Sequence, residues 1–193
     1  MHSDVNLTDE QLAQLLSRGQ REMLTPLVER HHARLLGYLY RLSGGERTLA
    51  EDWVQESFMR LLRQISQYVY PRPFKPYLYA IATNIARDHF KSAASRTGSL
   101  PLDYADHMVA DQPSPEQTVA ADQQVQQVIL TLRQLPDQQR ETVILRYYEE
   151  WSLAEIAAAL DIPIGTVKSR LSLALKRLRE LLGEEVNPYE RET

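Results

Sequence analysis

Residues 135–182 begin Leu135-Pro136-Asp137-Gln138-Gln139-Arg140-Glu141-Thr142-Val143-Ile144-Leu145-Arg146-Tyr147-Tyr148-Glu149-Glu150-Trp151 and continue Ser152-Leu153-Ala154-Glu155-Ile156-Ala157-Ala158-Ala159-Leu160-Asp161-Ile162-Pro163-Ile164-Gly165-Thr166-Val167-Lys168-Ser169-Arg170-Leu171, running on to Leu182. The spacing predicts three helices separated by tight connections. Ser152 followed by Glu155 is a capping box: the hydroxyl takes an amide proton at the third helical position and the carboxylate reaches back to the cap amide. Leu153, Ile156, Ala157 and Leu160 then recur on one stripe. Asp161 and Ile162 form the turn, and Pro163 suits a first helical position, where its missing amide proton has no partner to lose. Val167, Leu171, Ala174, Leu175, Leu178 and Leu182 line one face of the last helix. Two short helices in this order make a helix-turn-helix.

Between Pro163 and Leu182 five basic residues, Lys168, Arg170, Lys176, Arg177 and Arg179, face the single acid Glu180, a local net of +4 in a chain whose total is -4. Lys168, Ser169, Ser172 and Lys176 project away from the apolar stripe, where a helix laid in the major groove presents side chains to base edges and phosphates. A solvated amphipathic helix that merely closes a bundle would show the same stripe. The concentration of positive charge on the second helix favours DNA.

These segments are similar to a known family. Leu135-Pro136 with Gln139-Arg140-Glu141, Ser152-Leu153-Ala154-Glu155-Ile156-Ala157 and Ile162-Pro163-Ile164-Gly165-Thr166-Val167-Lys168-Ser169-Arg170-Leu171 resemble region 4 of the extracytoplasmic-function (ECF) sigma factors, the small promoter-recognition subunits of bacterial RNA polymerase. The resemblance implies that this module meets the minus-35 promoter element through Thr166, Lys168, Ser169, Arg170, Ser172, Leu173 and Lys176, and that it meets the flap of the polymerase beta subunit. Ser172-Leu173 departs from the family, which usually has a bulky polar or aromatic residue and then an arginine. Leu173 points roughly opposite the core stripe, as an apolar contact to a thymine methyl or as part of a protein interface.

With 193 residues, 43% hydrophobic and 25% charged, the chain is ordinary globular material for one domain or two small ones, and its composition favours helices throughout. No run approaches the roughly 20 apolar residues of a membrane span. The start, Met1-His2-Ser3-Asp4-Val5, has neither the basic nor the apolar segment of a secretory signal. Without cysteine there are no disulfides and no thiolate metal sites, and a cytoplasmic location is expected.

Taken in order, Thr8 or Asp9 caps a first helix, Glu10 to Arg18, ended by Gly19. A second runs to about Leu42 with Leu24, Leu27, Val28, Leu35, Leu39 and Leu42 on its core side and Pro26 in its first turns. His31 and His32, being adjacent, diverge and cannot share a metal; a solvated face is expected for them. From Thr48 to Ser66, Ala50, Trp53, Val54, Phe58, Leu61, Leu62 and Ile65 keep a three-and-four spacing. Acids early (Glu51, Asp52, Glu56) and bases late (Arg60, Arg63) on the polar side suit the helix dipole. The stretch Leu49 to Arg60 also resembles the family's region 2 signature, which implies that Asp52, Gln55 and Glu56 face the clamp helices of the beta-prime subunit.

Between Tyr68 and Tyr77 three prolines (Pro71, Pro73, Pro76) argue against helix, and aromatics interleave with Arg72 and Lys75. Such aromatics can stack an extruded base, at about 1–3 kcal/mol each, or seal the joint between two helices, the preferable reading for Phe74. Leu78, Ile81, Ala82 and Ile85 are the core side of the next helix, to about Lys91, with Tyr77, Asn84, Arg87 and Lys91 on the other. Tyr70 to Arg96 again carries a net of +4. Phe74 to Lys91 resembles the family's minus-10 segment, with Tyr77 for the usual tryptophan and Ala80 for the usual arginine. By that likeness Tyr68, Tyr70, Arg72, Lys75, Tyr77, Asn84, Arg87 and Lys91 capture the non-template strand.

Residues 97–122 change character: Pro101, Pro113 and Pro115, no periodicity, and five acids (Asp103, Asp106, Asp111, Glu116, Asp122) with no Lys or Arg. A flexible tether explains this composition. Helix resumes near Glu116 with Val119, Val125, Val128, Ile129 and Leu132. The resulting expectation is an all-α protein of two small helical domains, residues 1–96 (region 2) and 119–184 (region 4), joined by an acidic linker at 97–118 and followed by an acidic tail at 185–193. The implied function is that of an ECF sigma factor with core RNA polymerase and promoter DNA as partners and an anti-sigma factor as a candidate third. No phosphate-cradling loop, metal-ligand spacing or nucleophile motif is present, so neither an enzyme nor a cofactor is expected. A stand-alone helix-turn-helix regulator is the alternative, and a protein that merely titrates another factor is a third class.

Overall fold

The computed structural model describes residues 7–97 and 119–182, and every regular element among them is helical. The acids Asp103, Asp106, Asp111 and Glu116 and the tail at 185–193 lie outside the described residues. Four helices precede the gap: α1 (Asp9–Ser17), α2 (Leu24–Leu42), α3 (Arg47–Gln64) and α4 (Phe74–Thr97), with single 3-10 turns at Arg21–Met23 and Ile65–Gln67. Four follow it: α5 (Val119–Arg133), α6 (Asp137–Tyr147), α7 (Leu153–Leu160) and α8 (Ile164–Leu182).

Local chemistry sets the helix ends. The Thr8 hydroxyl accepts from the Gln11 amide at 3.3 Å while the Thr8 amide donates to the Gln11 side chain at 2.9 Å, so the first helix starts with a capping box that uses Gln in place of Glu. Gly19, at φ 96°, ends that helix in the left-handed region open to glycine. Pro26 is the third residue of α2 and Pro76 the third of α4. The prolines around Pro73 were expected to exclude helix as far as Tyr77; α4 nevertheless begins at Phe74, because the amides of a first helical turn have no intrahelical acceptor and proline costs little there. The Phe74 amide is instead satisfied by the Glu10 carboxylate of α1 at 3.1 Å.

The first four helices close over Leu12, Leu27, Leu35, Leu39, Leu61, Phe74 and Leu78, all fully buried. Trp53 joins this core with its indole edge on Phe90, ring centroids 5.6 Å apart. His31 corrects the expectation of a solvated pair. Only His32 is exposed; His31 is 6% exposed, its Nε2 lies 2.7 Å from Asp9, and its ring packs on Phe74 at 5.4 Å. Burial, opposed by the Asp9 carboxylate, lowers its pKa below the ordinary 6.5.

In the second half, Leu132, Val143, Ile144, Trp151, Ile156, Leu160, Val167, Leu171 and Ala174 are buried together. Leu182, expected on this core face, is 60% exposed. Val125 and Val128 are likewise exposed, and α5 packs through Ile129 and Leu132. The buried residues of both halves form one continuous cluster, with α7 laid on α4 and α6 on α2. At the α2–α3 turn Gly44 and Gly45 have positive φ, and a Cβ on Gly44 would sit 2.8 Å from the Arg133 side chain, so α5 approaches this turn only because both residues are glycine.

Candidate nucleic-acid interface

The helix-turn-helix is assembled as its sequence predicts. The Ser152 hydroxyl accepts from the Glu155 amide at 3.2 Å and the Ser152 amide donates to the Glu155 carboxylate at 2.9 Å. The Ser152 hydroxyl also donates to that carboxylate at 2.7 Å, and this bond, together with the one from the Ser152 amide, holds the Glu155 carboxyl below its ordinary range. Asp161 ends α7 in the left-handed conformation at φ 54°, which aspartate tolerates better than most residues. The Pro163 carbonyl accepts from Thr166 at 2.9 Å and from Val167 at 3.2 Å, so α8 starts at Ile164, one residue later than expected.

With Val167, Leu171 and Ala174 buried against α6 and α7, the opposite side of α8 is free. Lys168, Ser169, Ser172 and Lys176 are exposed in one row, Thr166 is half-buried beside it, and Leu173 is 57% exposed. Arg170 differs. It turns inward, its guanidinium donating to Gln138 at 2.8 Å and to the Glu141 carboxylate of α6 at 3.3 Å. That bond ties α8 to α6 and removes Arg170 from the outward row.

The first four helices hold the second basic surface, and there the structure divides the expected residues. Tyr70, Arg72, Asn84 and Lys91 are exposed. Tyr77, expected on the outer side of the helix, and Tyr68, expected either to stack a base or to seal the joint, are buried at 8% and 6% exposure. They seal the joint between the loop and α4: the Tyr68 hydroxyl donates to the Arg72 carbonyl, the Tyr77 hydroxyl donates to the Gln64 carbonyl at 3.4 Å, and the two rings pack at 5.4 Å. The Arg72 guanidinium caps the Tyr77 ring at 5.1 Å. A cavity of about 190 Å³ opens between α3 and α4 at this point, lined by Arg60, Gln64, Arg72, Tyr77, Ala80 and Asn84. Arg60 and Gln64 were invisible as site residues in the sequence, because on α3 they read as the polar side of an amphipathic helix. Arg60 is shared between Glu56 and Asp88, each at 3.5 Å, bonds loose enough to leave its guanidinium at the rim.

The two remaining cations face the second half of the chain. Lys75 lies half-buried over the Trp151 ring at 4.7 Å, and Arg87 makes a two-pronged bond to Glu141, 3.0 Å from Nε. On α3, Asp52 and Gln55 are exposed, while Glu56 also accepts from Arg63 at 3.1 Å. Between α5, α6 and α8 lies an apolar groove of about 280 Å³, lined by Val128, Leu132, Tyr147, Leu175, Leu178 and Leu182. Neither a cluster of metal-ligating side chains nor a helix long and apolar enough to cross a membrane occurs among the described residues.

An all-helical chain with a helix-turn-helix whose outer face is basic and open defines a DNA-binding protein. Residues 27–96 match the family model for sigma-70 region 2, and residues 126–178 match that for sigma-70 region 4. The chain is 32% identical over 177 residues to the ECF RNA polymerase sigma factor SigW of Bacillus subtilis, covering 86% of this chain and 92% of that one. It is 29% identical over 191 residues to the RNA polymerase sigma-H factor of Pseudomonas aeruginosa, covering 95% and 96%. Among solved structures it superposes on CnrH in complex with the cytosolic domain of CnrY, with TM-score 0.70 and 25% identity over 92% of this chain and 99% of that one. It also superposes on RpoE in complex with the anti-sigma factor NepR from Bartonella quintana, with TM-score 0.64 and 25% identity over 84% and 98%. The chain belongs to the ECF group of the sigma-70 family, and is an RNA polymerase sigma factor: a transcription initiation factor whose partners are core RNA polymerase and promoter DNA.

Proposed function

We propose that this chain makes core RNA polymerase promoter-specific through two DNA contacts of different kinds. Thr166, Lys168, Ser169, Ser172, Leu173 and Lys176 read the minus-35 duplex, with the N-terminal half of α8 in the major groove, phosphates on the lysines and base edges on the hydroxyls. Arg170 serves that contact from behind, by fixing α8 on α6. The cavity between α3 and α4 takes one unpaired base of the minus-10 strand, with Asn84 on its edge and Tyr77 as its floor, while Tyr70, Arg72, Lys91, Lys75 and Arg87 bring aromatic and cationic contacts to the strand. The observation that carries this reading is the coincidence of that cavity with exposed Asn84 and with two guanidiniums at its rim.

Residues 1–96 work as the minus-10 and clamp-binding unit and residues 119–184 as the minus-35 unit, with 97–118 the tether between them. Asp52, Gln55 and Glu56 offer an acidic and amide face to the beta-prime clamp helices. The groove of Leu175, Leu178 and Leu182 offers an apolar seat for the beta flap. Because the relatives solved as CnrH and RpoE are each bound by another protein, the latter an anti-sigma factor, an anti-sigma partner is also proposed here. No covalent chemistry is assigned to the chain. It redistributes free energy, favouring bound over free promoter through α8 and open over closed strands through the cavity, in the cytoplasm where polymerase works.

Run-off transcription with purified core enzyme, on DNA fragments selected by the reconstituted holoenzyme, tests the reading. Transcripts starting at defined sites are expected only when the chain is present. A gel shift in which the free chain binds duplex tightly, with no transcript from the holoenzyme, would instead identify a stand-alone regulator.

A further inference from the structure

The loop from Tyr68 to Pro73 is held at both ends by α1. Before the loop, the 3-10 turn Ile65–Gln67 packs on that helix; after it, the Phe74 amide donates to the Glu10 carboxylate at 3.1 Å. Pro73, the residue before α4, has no polar side chain and cannot serve as a local cap, so the acceptor comes from another helix. Glu10 also stands in the first turn of α1, so its charge meets the positive ends of two helices. One position earlier, Asp9 binds Arg30 at 2.8 Å and lies 2.7 Å from His31 Nε2, which fixes the start of α1 on α2. The His31 and Tyr68 rings both pack on Phe74, at 5.4 and 6.2 Å. Within the loop, the Arg72 amide donates to the Val69 carbonyl at 3.0 Å and the Tyr68 hydroxyl donates to the Arg72 carbonyl. Burial pushes the Tyr68 hydroxyl up to about 12, and the Glu10 carboxylate adds to that rise against Arg72, so the hydroxyl keeps its proton and stays a donor.

We propose that Glu10 is a positioning residue for strand capture: its carboxylate fixes Phe74, and through it the short loop, so that Arg72 stays over Tyr77 at the rim of the cavity. This rests on the proposed role of that cavity. Phe74 is fully buried, so losing the carboxylate leaves its amide either unpaired or released by unwinding the first turn of α4. Unwinding moves Pro73 and Arg72 first, because they are the next residues back along the chain. Asn84 sits more than two turns into α4 and keeps its place. The defect therefore falls on the loop side of the cavity, where Arg72 and Tyr70 meet the strand, and spares α8 and its duplex contact.

Holoenzyme reconstituted from the full chain and core polymerase, on a promoter fragment that it selects, supplies the test. Glu10→Ala should lower the population of open complexes by about tenfold, read by permanganate reactivity of unpaired thymines, with affinity for the closed promoter at low temperature unchanged. Glu10→Gln keeps an oxygen that can accept from Phe74 and should restore opening. Glu10→Asp keeps the charge but is one methylene too short, and should open as poorly as Glu10→Ala; it carries the test if the alanine variant does not fold. Leu39→Val, which removes buried volume from the core of the same unit, should lower the urea midpoint and leave opening intact. Normal opening by Glu10→Ala and Glu10→Asp, a glutamine variant as defective as alanine, or an equal loss of opening in Leu39→Val at a matched urea midpoint overturns the positioning role. Asn84→Ala, run in parallel, separates the two layers. If it impairs opening while Glu10→Ala does not, the role of Glu10 alone is rejected; if neither impairs opening, the cavity reading falls and takes the role of Glu10 with it.

Discussion

The basic face of α8 and the basic face of α4 carry the same net charge in the sequence, yet the fold uses them differently. On α8 one apolar stripe is buried and the whole opposite row is free. α4 packs against α1, α2 and α3 on one side and against α7 on another, so little of its surface is left over. Tyr68 and Tyr77 vanish into a joint, Lys75 and Arg87 are held by the second unit, and Asn84 with Arg72 remain beside a hollow. A helix covered on one side wears its function outside; a helix covered on two sides keeps it at the gaps.

The division of the tyrosines is the part of this contrast that breaks most visibly. Tyr77→Ala should destabilise the first unit by about 3–5 kcal/mol, the cost of emptying a buried aromatic site, measured as a lowered urea midpoint. Tyr70→Ala, at a residue 44% exposed, should leave that midpoint within about 0.5 kcal/mol and act on strand opening alone. Equal midpoints for the two variants would return Tyr77 to the exposed, base-stacking role that the sequence suggested. Next in size, Asn84→Ala should weaken the open complex by about 1–2 kcal/mol, the worth of a lost hydrogen bond with its partner left unpaired, while duplex binding is kept. Permanganate reactivity of unpaired thymines reports it, and unchanged reactivity removes Asn84 from the cavity's work. On the other face, Lys168→Ala should weaken promoter binding by about 1 kcal/mol and lower the slope of log affinity against log salt by about 0.9, one phosphate contact.

How much of this was legible follows the same division. The spacing of Ile156, Leu160, Val167 and Leu171, the capping box at Ser152 and the turn at Asp161 determine the helix-turn-helix locally, and α8's outer row then follows from helical geometry alone. The exposure of Asn84 on α4 was readable for the same reason. Arg170 was misplaced because nothing local says that a basic residue on the rim of the stripe will meet Glu141, 29 positions earlier. His31 looked solvated since its partners, Asp9 and Phe74, come from two other helices. Arg60 and Gln64 became site residues only when α3 met α4. Each miss is a tertiary contact that no periodicity encodes.

The smallest expected effects separate the two units by pH. His31 in the first unit has a folded pKa lowered by burial, so the unfolded chain binds a proton there before the folded chain does. Stability therefore does not depend on this group above the ordinary value of 6.5 and falls as pH drops below it, through the lowered folded pKa. Glu155 in the second unit has a folded pKa lowered by its bonds to Ser152, so its contribution is present above the ordinary 4.5 and is lost as pH falls below that, through the folded value. On acidification the first unit should loosen ahead of the second, seen as earlier loss of amide-exchange protection in α1 and α2 than in α7. His31→Gln should flatten the first step and spare the second. Ser152→Ala should do the reverse, with a loss of about 1 kcal/mol at neutral pH for the missing cap. If both regions lose protection together at every pH, the contact through Glu141 and Trp151 couples them into one cooperative body, and the difference between the faces of α4 and α8 is then one of exposure and not of stability.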